Sequence, residues 1–124
     1  MPAQKPEQCD ELFESGINAG DVDAVVALYE PEATLVPAPG QTANGTAAIR
    51  EAIAGIVAAD GQMKLNVTRV ISAGDVAITY NDWSGTMAGP DGAKIELSGK
   101  AIEVCRRQPD GTWKFIIDDP FGRA

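Results

Sequence analysis

The hydrophobic period of this chain changes once, near residue 61, and no other feature constrains the fold as much. Before that point apolar residues recur at helical spacing, and after it they alternate. Cys9, Leu12, Phe13, Gly16 and Ile17 make an amphipathic helical stripe, with Pro6 suited to the first turn and Gly20 to the stop. Asp21 is placed to cap a shorter helix with the face Val22, Val25, Val26 and Tyr29, ended by Pro31. Ala33 to Pro37 reads as a short strand, and Pro37-Ala38-Pro39-Gly40-Gln41 as a loop that cannot pair regularly. A third helix is expected from Thr46 to about Ala59 on the stripe Ile49, Ala52, Ile53, Ile56 and Val57, closed by Asp60-Gly61.

The rest reads as strands. Residues 62–73 set Met63, Leu65 and Val67 on one face, and residues 76–87 set Val76, Ile78 and Tyr80 on one side. A long strand covers 94–107, and Trp113, Phe115 and Ile117 begin the last. Short turns at Gly74-Asp75, Gly89-Pro90-Asp91-Gly92 and Pro109-Asp110-Gly111 force an antiparallel meander. The order ααβαββββ, with helices segregated from the sheet, is the α+β pattern, and 124 residues suit a single domain over 1–124. The strand at 94–107 switches phase: Ile95, Leu97, Ala101 and Cys105 are odd, Ile102 and Val104 even. Either a bulge near Gly99 shifts the phase, or both faces are covered there, one by helices and one by another subunit.

Composition removes several functions. The net charge of −8 opposes phosphate backbones and anionic membrane surfaces, so neither nucleic acid nor membrane is an expected partner. The pair Arg106-Arg107 reads as a solvated strand edge. Histidine is absent, which eliminates Ser-His-Asp and Cys-His catalysis and the usual zinc sites. Acid–base chemistry would fall to carboxylates, Tyr, Lys, Cys or a bound water. The acids lack calcium-loop spacing and the glycines do not form a phosphate cradle, so no metal and no cofactor is expected. Cys9 and Cys105 read as buried free thiols, with a disulfide as the alternative. Met1-Pro2-Ala3-Gln4-Lys5-Pro6 has no apolar signal-peptide core and no apolar run reaches a membrane span, which makes the cytoplasm the expected location.

The run Asn18-Ala19-Gly20-Asp21-Val22-Asp23-Ala24-Val25-Val26-Ala27-Leu28-Tyr29, followed by Glu32-Ala33-Thr34-Leu35, resembles the nuclear-transport-factor-2-like superfamily. So do the helix entry Asn44-Gly45-Thr46-Ala47-Ala48-Ile49-Arg50 and the ending Gln108-Pro109-Asp110-Gly111-Thr112-Trp113-Lys114-Phe115. The chain looks most like the SnoaL-like, ketosteroid-isomerase-like bacterial branch, whose activity is unassigned. The resemblance implies a cystatin-like cone: three helices on a strongly curved, mixed but mostly antiparallel sheet, with a pocket at the open end and a homodimer. It also implies that the standard ketosteroid isomerase mechanism is missing. Pro37 stands where that enzyme keeps its aspartate base, Phe13 where it keeps its tyrosine, and Glu103 where it keeps a protonated aspartate.

Candidate site residues follow from strand phase. Glu103 shares its phase with Ile95, Leu97, Ala101 and Cys105, so it either faces an apolar pocket as a protonated acid or pairs with Lys100 or Arg107. Asp119 alternates with Phe115, Ile117 and Phe121, as a second catalytic acid or as a turn residue ahead of Pro120, with Asp118 pointing outward. Tyr80 and Asp82 share a face that would contact a ligand, unless Tyr80 is a core residue. Trp83 points to the opposite face. Phe13, Ile117 and Phe121 complete the expected ligand wall. These residues suit a pocket for a small hydrophobic carbonyl or hydroxyl compound, worked by carboxylates as in an isomerase, cyclase or lyase. The alternative is a noncatalytic small-molecule-binding or dimerisation module.

Overall fold

The computed structural model describes residues 2–123; Met1 of the N-terminal stretch read above and Ala124 lie outside it. Helix α1 spans Pro6–Ala19 and ends where Gly20, at φ 69°, turns its N–H back to Ile17 and Asp21 bonds the carbonyl of Gly16. Asp21 caps α2 (Val22–Val26) by accepting from the Ala24 N–H at 3.1 Å. Helix α3 covers Thr46–Ala58 and buries Ile49 and Ile53. The strands are β1 (Tyr29–Leu35), β2 (Ala43–Asn44), β3 (Gln62–Ala73), β4 (Val76–Ala88), β5 (Lys94–Arg107) and β6 (Trp113–Arg123). They form one sheet in the order β2-β1-β6-β5-β4-β3, in which only the β1–β6 pair is parallel. The fold is therefore the expected three helices on a mixed, mostly antiparallel curved sheet.

Three local expectations are corrected. Tyr29 belongs to β1 and not to the second helix, which is only five residues long. Pro31 sits inside β1 without cost, because the β1–β6 register is interrupted between Tyr29 and Thr34 and no ladder bond is lost. The two-residue strand β2, paired through Thr34↔Asn44 and Leu35↔Ala43, is too short to carry a period.

The sheet bends where its registers slip. β3 carries an extra residue at Thr68, between Val67↔Asn81 and Arg69↔Tyr80. β6 carries one at Ile116, between Cys105↔Phe115 and Val104↔Ile117, and a further excess between Asp119 and Arg123. The β4–β5 ladder, by contrast, runs unbroken from Val76↔Arg106 to Ala88↔Lys94, so no bulge at Gly99 explains the phase switch of β5. Odd residues of β5 face the helices and even residues face outward. The outward side carries a cross-strand apolar row, Ile71–Ile78–Val104–Ile117, in which Ile71 is 39% and Ile117 46% exposed.

Between α1, α3 and the inner face lies the core, centred on Phe115, which meets Phe13 edge-on at 6.5 Å and Tyr29 at 5.1 Å. Cys9 and Cys105 are buried there as free thiols. No helix among the described residues is long and apolar enough to cross a membrane. Because Ile49 is wholly buried, Ile49→Ala should lower unfolding free energy by about 2–5 kcal/mol, read from urea denaturation curves.

Candidate functional site

A cup of about 190 Å³ opens between the inner sheet face and the helices, walled by Phe13, Ile53, Met63, Trp83 and Phe121 among others. One wall is polar. The ladders align Thr79, Glu103 and Asp118 as a single row across β4, β5 and β6. Asp10 is added from α1, Asn81 from β4 and Tyr29 from β1.

Each polar group of the row is held. Thr79 Oγ1 donates to Glu103 Oε1 at 2.7 Å, and Asn81 Nδ2 to Glu103 Oε2 at 2.8 Å. The same amide reaches Asp10 Oδ1 at 3.4 Å. Tyr29 donates its hydroxyl to Asp118 Oδ2 at 2.5 Å. Asp118 lines the cup beside Glu103, its neighbour in the row. Trp83 closes one side by donating to the Pro120 carbonyl at 2.7 Å. The pair lies over Gly99, where an added Cβ would come within 2.7 Å of the indole nitrogen.

Three acids in contact in a dry wall cannot all ionise. Burial pushes the Glu103 carboxyl well above the ordinary range, and the neighbouring Asp10 adds to it. Burial and then Glu103 do the same to Asp118. Asp10 is pushed up to about 7, by burial first. Burial also raises the Tyr29 hydroxyl, with the Asp118 charge second, so it stays a donor. The three acids do not form a metal-ligand group among the described residues.

The expected site residues divide. Glu103 (3% exposed), Phe13 and Phe121 line the cup, and Glu103 pairs with neither Lys100 nor Arg107. Asp119 does not line it. Its carboxylate accepts from the Phe121 N–H at 3.1 Å in a local turn, and Asp118, expected outside, takes the interior. The extra residue Ile116 reverses the phase of β6, and the same reversal puts Ile117 on the outer face. Tyr80 and Asp82 also lie outside. The Arg123 guanidinium sits 5.3 Å from the Tyr80 ring centre and bonds Asp82 at 3.1 Å. On β4 the odd residues Ala77, Thr79, Asn81 and Trp83 face inward, and the apolar even ones serve the outer row.

Asp10, Tyr29, Thr79, Asn81 and Asp118 were not anticipated. One signal was legible: Asp10, Phe13 and Ile17 share a helix face, which sets a carboxyl within an apolar stripe. Thr79 and Asn81 are polar residues facing inward, which alternation alone assigns to solvent.

Comparison with known proteins agrees with the fold. The SnoaL-like domain family matches residues 10–116, and the chain belongs to that family. It is similar in structure to a nuclear-transport-factor-2-like superfamily protein from Salmonella enterica serovar Typhimurium (TM-score 0.81, 19% identity, 94% of this chain and 87% of that one). It is equally similar to a ketosteroid isomerase-like protein from Erwinia carotovora atroseptica (0.80, 19%, 91% and 89%). A third likeness is an NTF2-like protein with a cystatin-like fold from Novosphingobium aromaticivorans (0.74, 19%, 90% and 75%). At such identities the likeness is one of fold. No curated protein sequence matches the chain.

The raised Asp10 pKa has a pH consequence. An acid whose folded pKa lies above its unfolded value stabilises the fold fully below the unfolded pKa, and that contribution is lost as pH rises through the folded one. For Asp10 the window runs from 3.8 to about 7. Asp10→Asn should therefore be more stable than the parent at pH 8 and lose that advantage near pH 4, in paired urea titrations.

Proposed function

We propose that the cup binds a small apolar compound bearing a carbonyl or hydroxyl, and that Asp118 and Glu103 move a proton at that group, as in a cofactor-independent isomerase, cyclase or lyase. The observation that carries this reading is the pair of adjacent buried acids Asp118 and Glu103, whose carboxyls burial pushes well above the ordinary range, at the polar wall of an otherwise apolar cup. A carboxylic acid kept neutral by burial donates to a carbonyl oxygen, and an adjacent carboxylate takes a proton. Thr79, Asn81 and Tyr29 hold the two acids in place, so little reorganisation accompanies the transfer. Phe13 and Pro37 line the cup, but neither has a group that exchanges a proton.

The test is hydrogen–deuterium exchange at the α-carbon of small cyclic ketones, followed by NMR in D2O. The parent should accelerate exchange, and Asp118→Asn and Glu103→Gln should each reduce it about 10²-fold or more. Exchange unaffected by both substitutions would remove the catalytic reading.

The outer face supports a second part of the proposal: two copies of the chain pair through the Ile71–Ile78–Val104–Ile117 row. That row crosses four strands and is partly exposed along its length among the described residues, most at Ile71 and Ile117. Light scattering should give twice the chain mass for the parent and the single mass for Ile117→Lys.

A further inference from the structure

The polar wall is short of hydrogen-bond donors. Three carboxyls stand on it, and no lysine or arginine among the described residues lines the cup. Asp10 Oδ2 and Asn81 Oδ1 have no hydrogen-bond partner among the described residues, although their residues are 1% and 0% exposed and both line the cup. Protons retained on the carboxyls supply part of that deficit. Each retained proton suppresses a charge that a positively charged partner would restore.

We propose that the cup takes a small hydrophobic amine, held as its ammonium ion against Asp118 and Glu103, with its hydrocarbon part on Phe13, Trp83 and Phe121. A primary ammonium brings three donors and one positive charge, which the wall lacks. An alkylamine, with a pKa near that of lysine at about 10.4, keeps its proton, and its charge favours the ionised form of the carboxyl it meets, so the carboxyl gives up its own. Binding therefore releases a proton. The titratable groups around the polar wall are acidic or neutral on every element: Asp10 and Cys9 on α1, Tyr29 on β1, Glu103 and Cys105 on β5, and Asp118 with Asp119 behind it on β6. β4 adds the uncharged Thr79 and Asn81. Anions are disfavoured by the same wall. The inference rests on the reading of the cup as a ligand site, not on its catalysis. An amino ketone or amino alcohol is the substrate class that meets both.

Titration calorimetry at pH 7 with cyclohexylmethylamine, cyclohexylmethanol and cyclohexanecarboxylate, in buffers of different ionisation enthalpy, tests it. The amine should bind about tenfold or more tighter than the alcohol and release about one proton per molecule bound; the carboxylate should not bind. Asp118→Asn should bring the amine down to the affinity of the alcohol and abolish the proton release, with an unchanged far-UV circular dichroism spectrum showing the fold intact. Alcohol binding equal to or tighter than the amine would overturn the amine inference and leave the pocket standing. Failure of both amine and alcohol to bind would overturn both readings.

Discussion

A single extra residue in the last strand decides how the two faces of the sheet are used. Ile116 has no partner in the β5–β6 ladder, so Phe115 and Asp118 both face the helices while Ile117 faces outward. Without that slip Asp118 would lie in the solvent and Ile117 would occupy the wall where the acids meet. Asp118 at the end of the row Thr79–Glu103–Asp118 and Ile117 at the end of the opposite row Ile71–Ile78–Val104–Ile117 are thus two products of one backbone irregularity, while the slip at Thr68 sets Ile71 in the outer row. A bulge also bends the strand, and the bend gives the inner face the concavity of a cup.

The acid row costs stability and concentrates chemistry. Burying three carboxyls is unfavourable unless they are hydrogen-bonded or protonated, and the structure uses both devices. Thr79, Asn81 and Tyr29 occupy most of the acceptor positions, and the raised pKa values keep the remaining charge low. An apolar core of this size has no structural need for such a row, since aliphatic side chains would fill the same strand positions at lower cost. Sites that hold perturbed acids beside a cavity are where proton transfer or charge recognition is found.

Fold legibility was high where a period ran long. The stripes on α1 and α3 and the long strands gave boundaries within a residue or two, because burial on one side imposes a repeat. β2 escaped because two residues have no period, and Tyr29 was misplaced because a five-residue helix and a strand share their apolar spacing over so short a stretch. The site was less legible. Glu103 stood out because its strand had an apolar odd phase. Tyr80 and Asp82 were drawn to the wrong face because β4 is apolar on its outer side, and an uncovered apolar row looks in sequence like a buried one.

Residue pattern by itself determined the α+β class, the helix ends at Gly20 and just before Asp60-Gly61, the absence of histidine chemistry and the inward phase of Glu103. These follow from local backbone preference, composition and alternation, which need no knowledge of neighbours. Only the tertiary structure decided that Asp118 and not Asp119 is the inner acid, that Asp10 and Tyr29 join it from a helix and a distant strand, and that Tyr80 and Ile117 face away from the cup. Strand pairing sets those choices. Whether a strand carries an extra residue depends on how its partner's register and the packed helix α1 accommodate it, and a run of alternating residues is silent on that.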